Sequence, residues 1–430
     1  MIKQYPGPCN TGTRDFIMQK NELIPHLFRS EYRKIVSVLC KRFGFDEIET
    51  AEDIASDTFL TASQVWSLNE VPSNPVAWLY AVAKNKARNH LQRQAHFQTK
   101  IAPHLKSEVQ LSDETVIDLS PRNIHDSQLQ MMFAICHPSI PAEAQIGLSL
   151  RILCGFGIDE IADAFLSNKE TINKRLFRAK EKLREEKIKI EFPPEEEIKQ
   201  RLENVLTTIY LLFTEGYYST SKQATIRKEL CFEAIRLCGM LLENKSTNVP
   251  ETNALLALMC FHASRFDARV DQNGEIILYE NQETSLWDTA LIEKGVYFLN
   301  LSATGTVISK YHLEAAIAYW STQKEDTEEK WENVLQLYNR LLQVEYSPVA
   351  ALNRTFALSK ARGKEIAIPE AEKLDLKHNQ FYFMLLGELH SGIDNKKAKQ
   401  YFESALTLAR TPNDKKTIQK KLDSIFFDAD

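Results

Sequence analysis

Breaks in this chain are rare. Its 430 residues include only 14 Gly and 15 Pro, where average usage is about 7% and 5%. A sandwich of short strands needs frequent turns, and these are the residues that make them, so their scarcity points to long helices joined by short loops. The same scarcity argues against a collagen or a Gly/Pro-rich disordered chain, and a 43% hydrophobic fraction supplies real cores. At roughly 100 to 200 residues per domain, two to four domains are expected.

No apolar run approaches the roughly 18 residues of a membrane span, and the start, MIKQYPGPCNTGTRDF, lacks the charged-then-apolar order of a signal peptide. A cytoplasmic protein with no membrane partner is expected. The seven cysteines (9, 40, 136, 154, 231, 238 and 260) lie far apart without a CxxC. Neither a disulfide framework nor a zinc ribbon is indicated, and they read as small buried hydrophobes.

The net charge of −5 hides an asymmetry. Residues 1–190 carry 25 Lys+Arg against 23 Asp+Glu, and residues 191–430 carry 28 against 35. Only the first part suits a polyanion. Val71 to Ser107 contains no acidic residue but has Lys84, Lys86, Arg88, Arg93, Lys100 and Lys106; Lys169 to Lys189 has nine basic residues against four acidic.

Helical spacing runs from about His26 to Gln94, as in Tyr32, Ile35, Val36, Leu39 and Phe43, then Ile54, Thr58, Phe59 and Ala62. The stretch Ala95 to His125, with Pro103 and Pro121, has no sustained period and reads as a linker. A second helical unit spans about Ser127 to Lys189, and Pro193-Pro194 marks a boundary near residue 192. Helices then recur to the C-terminus. One exception is expected: Asn273-Gly274, flanked by a potential strand pair, signals a β-hairpin. FYFMLLGELHSGIDNKKAKQYFESALTLARTP is close to one tetratricopeptide unit, and WENVLQLYNRLLQVEYSPVAALNRTFALSKARG reads as another helical pair.

The chain has no P-loop, HExxH, GxSxG or GxGxxG, so no local signature of an NTPase, zincin, serine hydrolase or Rossmann enzyme. Arg269 to Glu280 imitates a calcium loop, but Arg269 puts a cation where the first carboxylate ligand should sit. Cys136-His137 reads as a buried or capping pair rather than a metal site. No enzyme activity, cofactor or metal is expected.

Two basic helices remain. In IDEIADAFLSNKETINKRLFRAKEKLR, Ile158, Ile161, Ala162 and Phe165 mark one apolar face and Ile172, Leu176, Ala179 and Leu183 a second, with a short turn at Leu166 to Lys169. The pattern is a helix-turn-helix whose second helix presents Asn173, Lys174, Arg175 and Arg178 away from the stripe, groups suited to phosphates and guanine edges. A solvated charged face is the alternative. In NPVAWLYAVAKNKARNHLQRQ, Trp78 and Tyr80 precede Lys84, Asn85, Arg88, Asn89 and Arg93. Aromatics beside cations can grip unpaired bases, or the two rings can be core.

AEDIASDTFLTASQVW, NPVAWLYAVAKNKARNHLQRQ and LSLRILCGFGIDEIADAFLSNKETINKRLFRAKEKLR resemble regions two and four of bacterial extracytoplasmic-function RNA polymerase sigma factors. IYLLFTEGYYSTS, LCFEAIRL and the segments after them resemble the tetratricopeptide-like extension of one sigma subgroup. Leu166, where many members carry a turn glycine, agrees with that subgroup, and Asn173 replaces a commonly basic residue. The resemblance implies an all-α chain: a region 2 bundle at residues 20–96, a linker at 97–126, a region 4 helix-turn-helix at 127–190 and a tetratricopeptide-like extension at 193–430. It implies core RNA polymerase and promoter DNA as partners. Asp53, Asp57 and Phe59 would lie near the polymerase contact. Glu70, Val71, Ser73 and Asn74, with Lys84, Asn85, Arg88, Asn89 and Arg93, would hold the minus-ten element. Thr171, Asn173, Lys174, Arg175 and Arg178 would read the minus-thirty-five element. The acidic extension suits a regulatory role and an unidentified protein or peptide partner. A helix-turn-helix regulator with a helical sensor, or a tetratricopeptide scaffold, would account for only part of these features.

Overall fold

The computed structural model describes residues 20–101, 117–165, 167–218, 224–269, 277, 279–409 and 412–427. Among these the regular structure is entirely helical. The chain divides into two compact units, residues 1–161 with 168–192, and residues 162–167 with 193–430.

In the first unit, α1 (Lys20–Phe43) leads through a 3-10 turn (Phe45–Glu47) into α2 (Ile48–Leu68), and α3 (Pro75–Ile101) closes a three-helix bundle. Its core follows the spacing of the sequence. Tyr32, Ile35, Val36 and Leu39 of α1 meet Ile48, Ala55, Phe59 and Trp66 of α2, and α3 contributes Leu79, Ala83 and Ala87, one every four residues. Burying a stripe at that interval leaves the opposite face of α3 to water.

Next come α4 (Pro121–Ile135), α5 (Ala142–Leu148), a π-helical segment (Ser149–Leu153), α6 (Ile158–Ala164) and α7 (Lys169–Glu185). The expected linker is shorter than its composition suggested. Helix α3 continues to Ile101, and Pro121 opens α4 instead of breaking a helix, because Ser120 caps it by accepting the Asn123 N–H. At a first helical position the missing proline N–H costs nothing. Ile172, Leu176, Ala179 and Leu183 of α7 are buried. Gly147 permits close packing there, since a Cβ would come within 2.9 Å of the Leu176 side chain.

The second unit holds α8 (Glu195–Tyr218), α9 (Ala224–Leu242), α10 (Pro250–Ala263), α11 (Phe266–Arg269), α12 (Thr289–Ser302), α13 (Lys310–Trp320), α14 (Glu328–Val344), α15 (Pro348–Arg362), α16 (Lys364–Glu372), α17 (Gln380–His390), α18 (Asn395–Leu408) and α19 (Pro412–Phe427). Helix α10 is a hub, packed against α8, α9, α12 and α13 and buried along nearly its whole length. From α13 onward, packing is mainly between sequence neighbours, the pattern of a helical-repeat array. Two glycines set close crossings: a Cβ on Gly295 would meet the Phe261 ring at 2.6 Å, and one on Gly387 the Phe402 ring at 2.8 Å. The expected hairpin centres on Asn273-Gly274, outside the described residues. The flanking chain is drawn together there, Ile277 donating its N–H to the Arg269 carbonyl at 2.8 Å, but no strand is present among the described residues.

Candidate nucleic-acid interface

Helix α3 is built from its cap. The Asn74 Oδ1 accepts the Ala77 N–H at 2.9 Å and its carbonyl accepts that of Trp78 at 3.2 Å, with Pro75 at the first helical position. In the preceding loop Glu70, Ser73 and Asn74 are exposed and Val71 is half-buried. Opposite the buried Leu79, Ala83 and Ala87, the side chains of Lys84, Asn85, Arg88, Asn89 and Arg93 are all exposed and form one polar strip. Asn85 accepts a hydrogen bond from Arg88 at 3.2 Å, and among the described residues no carboxylate is ion-paired with Lys84, Arg88 or Arg93. Lys86 lies off the strip and pairs with Asp57 of α2.

The aromatic residues at the start of α3 are largely committed inward. Trp78 is half-buried against Trp66, ring centroids 5.3 Å apart. Tyr80 donates to Glu31 at 2.5 Å, and burial together with this carboxylate pushes its phenol well above the usual range.

On α2, Asp53 and Asp57 are exposed one turn apart, with Leu60 exposed beyond them. Phe59 does not join them. It is 4% exposed and packs edge-on against Phe28 at 5.0 Å, so it holds α2 from within and is not a surface contact.

Helix α7 starts at Asn168, whose Oδ1 accepts the Thr171 N–H at 2.8 Å. Thr171, Asn173, Lys174 and Arg178 are exposed on the face away from the apolar stripe. Arg175 departs from the expected set: it is half-buried and paired with Glu143 of α5 at 3.0 Å. It lies three residues from Ile172, at the edge of the buried stripe, a spacing that could have revealed this. Phe177, 60% exposed among the polar residues of that face, was missed. So was an ionic cluster around Glu52, whose partners Arg151 and Lys180 stand 99 and 128 residues away.

Cys136 is buried, and His137 accepts the Ser139 N–H at 3.2 Å, organising the turn before α5. Among the described residues no group of three or more His, Cys, Asp or Glu is placed to hold a metal. No helix among them is long and apolar enough to cross a membrane.

The profile of sigma-70 region 2 matches residues 27–97, the span of the α1–α3 bundle and its polar strip. The chain belongs to the sigma-70 family. A second profile, a family of unknown function (DUF6596), matches residues 201–303 of this sigma factor, the hub of the second unit. An uncharacterized protein of Rhizobium meliloti (strain 1021), R00370, is 31% identical over 390 residues, covering 89% of this chain and 91% of that one. The crystal structure of yeast Tom70 aligns with 95% of this chain and 88% of its own, at 12% identity and a TM-score of 0.30.

Proposed function

We propose that this sigma-70-family factor is of the extracytoplasmic-function type with a fused helical regulator, and that it directs core RNA polymerase to promoters read at two elements. In this reading α2 meets the core enzyme through Asp53 and Asp57. The loop Glu70 to Asn74 and the α3 strip hold the opened minus-ten strand. The pair α6 and α7 acts as a helix-turn-helix, α7 reading the minus-thirty-five duplex through Thr171, Asn173, Lys174 and Arg178. Arg175 positions the helix by its pair with Glu143. The extension at residues 193–430 regulates initiation and does not bind DNA, since its stretch of chain is acidic.

The observation that carries this reading is the strip itself. Three cations with no ion-paired carboxylate among the described residues and two amides line one face of a helix in a segment matching sigma-70 region 2. Cations neutralise phosphate, amides can reach base edges, and an opened strand leaves those edges unpaired. The test is run-off transcription from a promoter of the source genome with purified core polymerase. A transcript that appears only when the chain is added supports the proposal. A regulator or a scaffold cannot confer initiation on core enzyme alone, so a negative result with a folded chain and active core refutes it.

A further inference from the structure

Around Tyr279 in the second unit, positive charge is gathered without a matching counter-charge. Arg265 follows α10, while Lys324 and Lys330 flank the start of α14; their charged ends stand 5.5, 5.6 and 5.2 Å from the centre of the Tyr279 ring. One ring has only two faces to offer cations. Lys330 is 3% exposed and Arg265 8%.

The two lysines have oxygen partners. Lys324 donates to the carbonyls of Tyr279, Glu280 and Gln282, and Lys330 donates to that of Gln323 at 2.7 Å and to the Tyr279 hydroxyl at 3.2 Å. Arg265 is poorly served. Its guanidinium reaches Gln282 Oε1 at 3.5 Å, its Nε has no acceptor, and no carboxylate pairs with it among the described residues. The buried Trp287, its ring 6.3 Å from that of Tyr279, likewise has an Nε1 without an acceptor.

Carbonyls satisfy N–H groups but do not cancel charge, and buried charges in proteins are normally paired. Asp326 stands 3.8 Å from Lys330 and 3.5 Å from Lys360, and Glu280 stands 3.9 Å from Lys360. Set against Arg265, Lys324, Lys330 and Lys360, these two carboxylates leave two positive charges over. Burial holds the Lys330 ammonium below its ordinary pKa; Asp326 opposes this, and Lys324, Lys360 and Arg265 add to it. Strapping a loop to a helix start needs one lysine, and it gives no reason to bury an unpaired guanidinium beside it.

The cluster also borders a space. An open groove of about 640 Å3 is lined by Asp326, Thr327, Trp331, Lys360, Arg362 and Ile366, a volume in the range of small-molecule sites. Trp331 supplies a flat apolar surface there, its indole N–H held by Asp326 at 2.5 Å and Lys330 lying 5.2 Å from its ring. Arg362 is engaged by Glu332 at 2.8 Å, so the free charge lies on the Tyr279 side. A phosphate monoester fits both halves: its dianion matches the surplus of two, and guanidinium is the side chain best shaped to grip it.

We propose that the second unit binds a small molecule carrying a phosphate monoester, the phosphate drawn to Arg265, Lys324 and Lys330 and the body lying in the groove at Trp331. Arg265 and Tyr279 precede α12, whereas Lys324, Lys330 and Lys360 belong to the array, so an occupant would tie the hub to the array. The site is separate from the segments assigned to polymerase and promoter, and its occupancy is measurable without transcription.

The test is isothermal titration of the full chain with phenyl phosphate at about pH 8, where the phosphate is a dianion, with benzoate as a similar ring bearing a single charge. Phenyl phosphate should fill a single site, and benzoate should bind on the order of tenfold more weakly or not at all. Arg265→Gln and, separately, Lys324→Gln should each lower the affinity for phenyl phosphate on the order of tenfold, whereas Lys396→Gln, at an exposed lysine of α18, should leave it unchanged. Hydrogen exchange in the parent should slow at residues 279–283 and 323–331 when phenyl phosphate is added. If Arg265→Gln does not fold, this exchange and the exposed Lys324→Gln decide. A folded parent that does not bind, equal affinity for benzoate, folded variants that bind as the parent does, or exchange unchanged at those residues overturns the site. A capped phosphotyrosine peptide that binds on the order of tenfold tighter than phenyl phosphate overturns the assignment to a small molecule.

Discussion

Changing Lys84, Arg88 and Arg93 together to Ala should flatten the salt dependence of single-strand binding by a calculable amount. All three are exposed on the α3 strip, and none is ion-paired with a carboxylate among the described residues. Their removal therefore breaks no ion pair and leaves the buried Leu79, Ala83 and Ala87 untouched. Surface changes of this kind shift stability by less than about 0.5 kcal/mol. Each phosphate contact on a single strand contributes about 0.7 to the slope of log affinity against log salt, so three lost contacts should reduce the slope by about 2. Between 50 and 200 mM salt, that difference amounts to a factor of roughly 20. The assay is fluorescence anisotropy of a labelled minus-ten single strand with holoenzyme across that salt range. Lys86→Ala is the control, because Lys86 is engaged by Asp57 and should leave the slope alone. If the triple variant binds more weakly with an unchanged slope, the strip does not neutralise phosphate and the assignment fails.

Three further outcomes are expected. Asn74→Ala removes the cap on the Ala77 N–H and should cost about 0.5 to 2 kcal/mol in denaturant unfolding of the first unit; an unchanged midpoint would show that the cap is idle. Gly387→Ala drives a methyl into the Phe402 ring and should destabilise the α17–α18 pair by about 1 to 3 kcal/mol, visible as faster hydrogen exchange in those helices. Burial between α8 and α13 raises the Glu314 carboxyl from 4.5 to about 7, opposed by the Tyr210 hydroxyl. A raised acid favours the folded state while protonated, so its contribution is complete below 4.5 and is lost as pH climbs to about 7. Thermal midpoints should fall over that window in the parent and much less in Glu314→Gln, and parallel pH profiles would remove Glu314 from consideration.

Periodicity made much of this structure readable. Ile172, Leu176, Ala179 and Leu183 announce α7, and the acid-free run after Val71 announces the α3 strip, because both signals are local. The misplacements were also local, and physical. Phe59 falls in the same apolar stripe as Ala55 and Ala62, and burial there overrode its expected surface role. Arg175 sits at a stripe edge, where a long side chain reaches the neighbouring helix. Pro121 was ambiguous because proline both stops helices and starts them. The Glu52 cluster was beyond reach: no pattern within α2 says that a lysine 128 residues later will cover one of its carboxylates.

The two halves of the second unit differ in what they can survive. Helix α10 touches neighbours on several sides, so the hub forms as a whole or not at all, and a lesion anywhere in it removes the platform. From α13 to α19 each helix leans mainly on the next, and a loss at the far end leaves the earlier pairs standing. Pairs at the α19 end can be disturbed while the hub, where the DUF6596 profile matches, is left intact. Changes at that end can accumulate without unfolding the earlier helices.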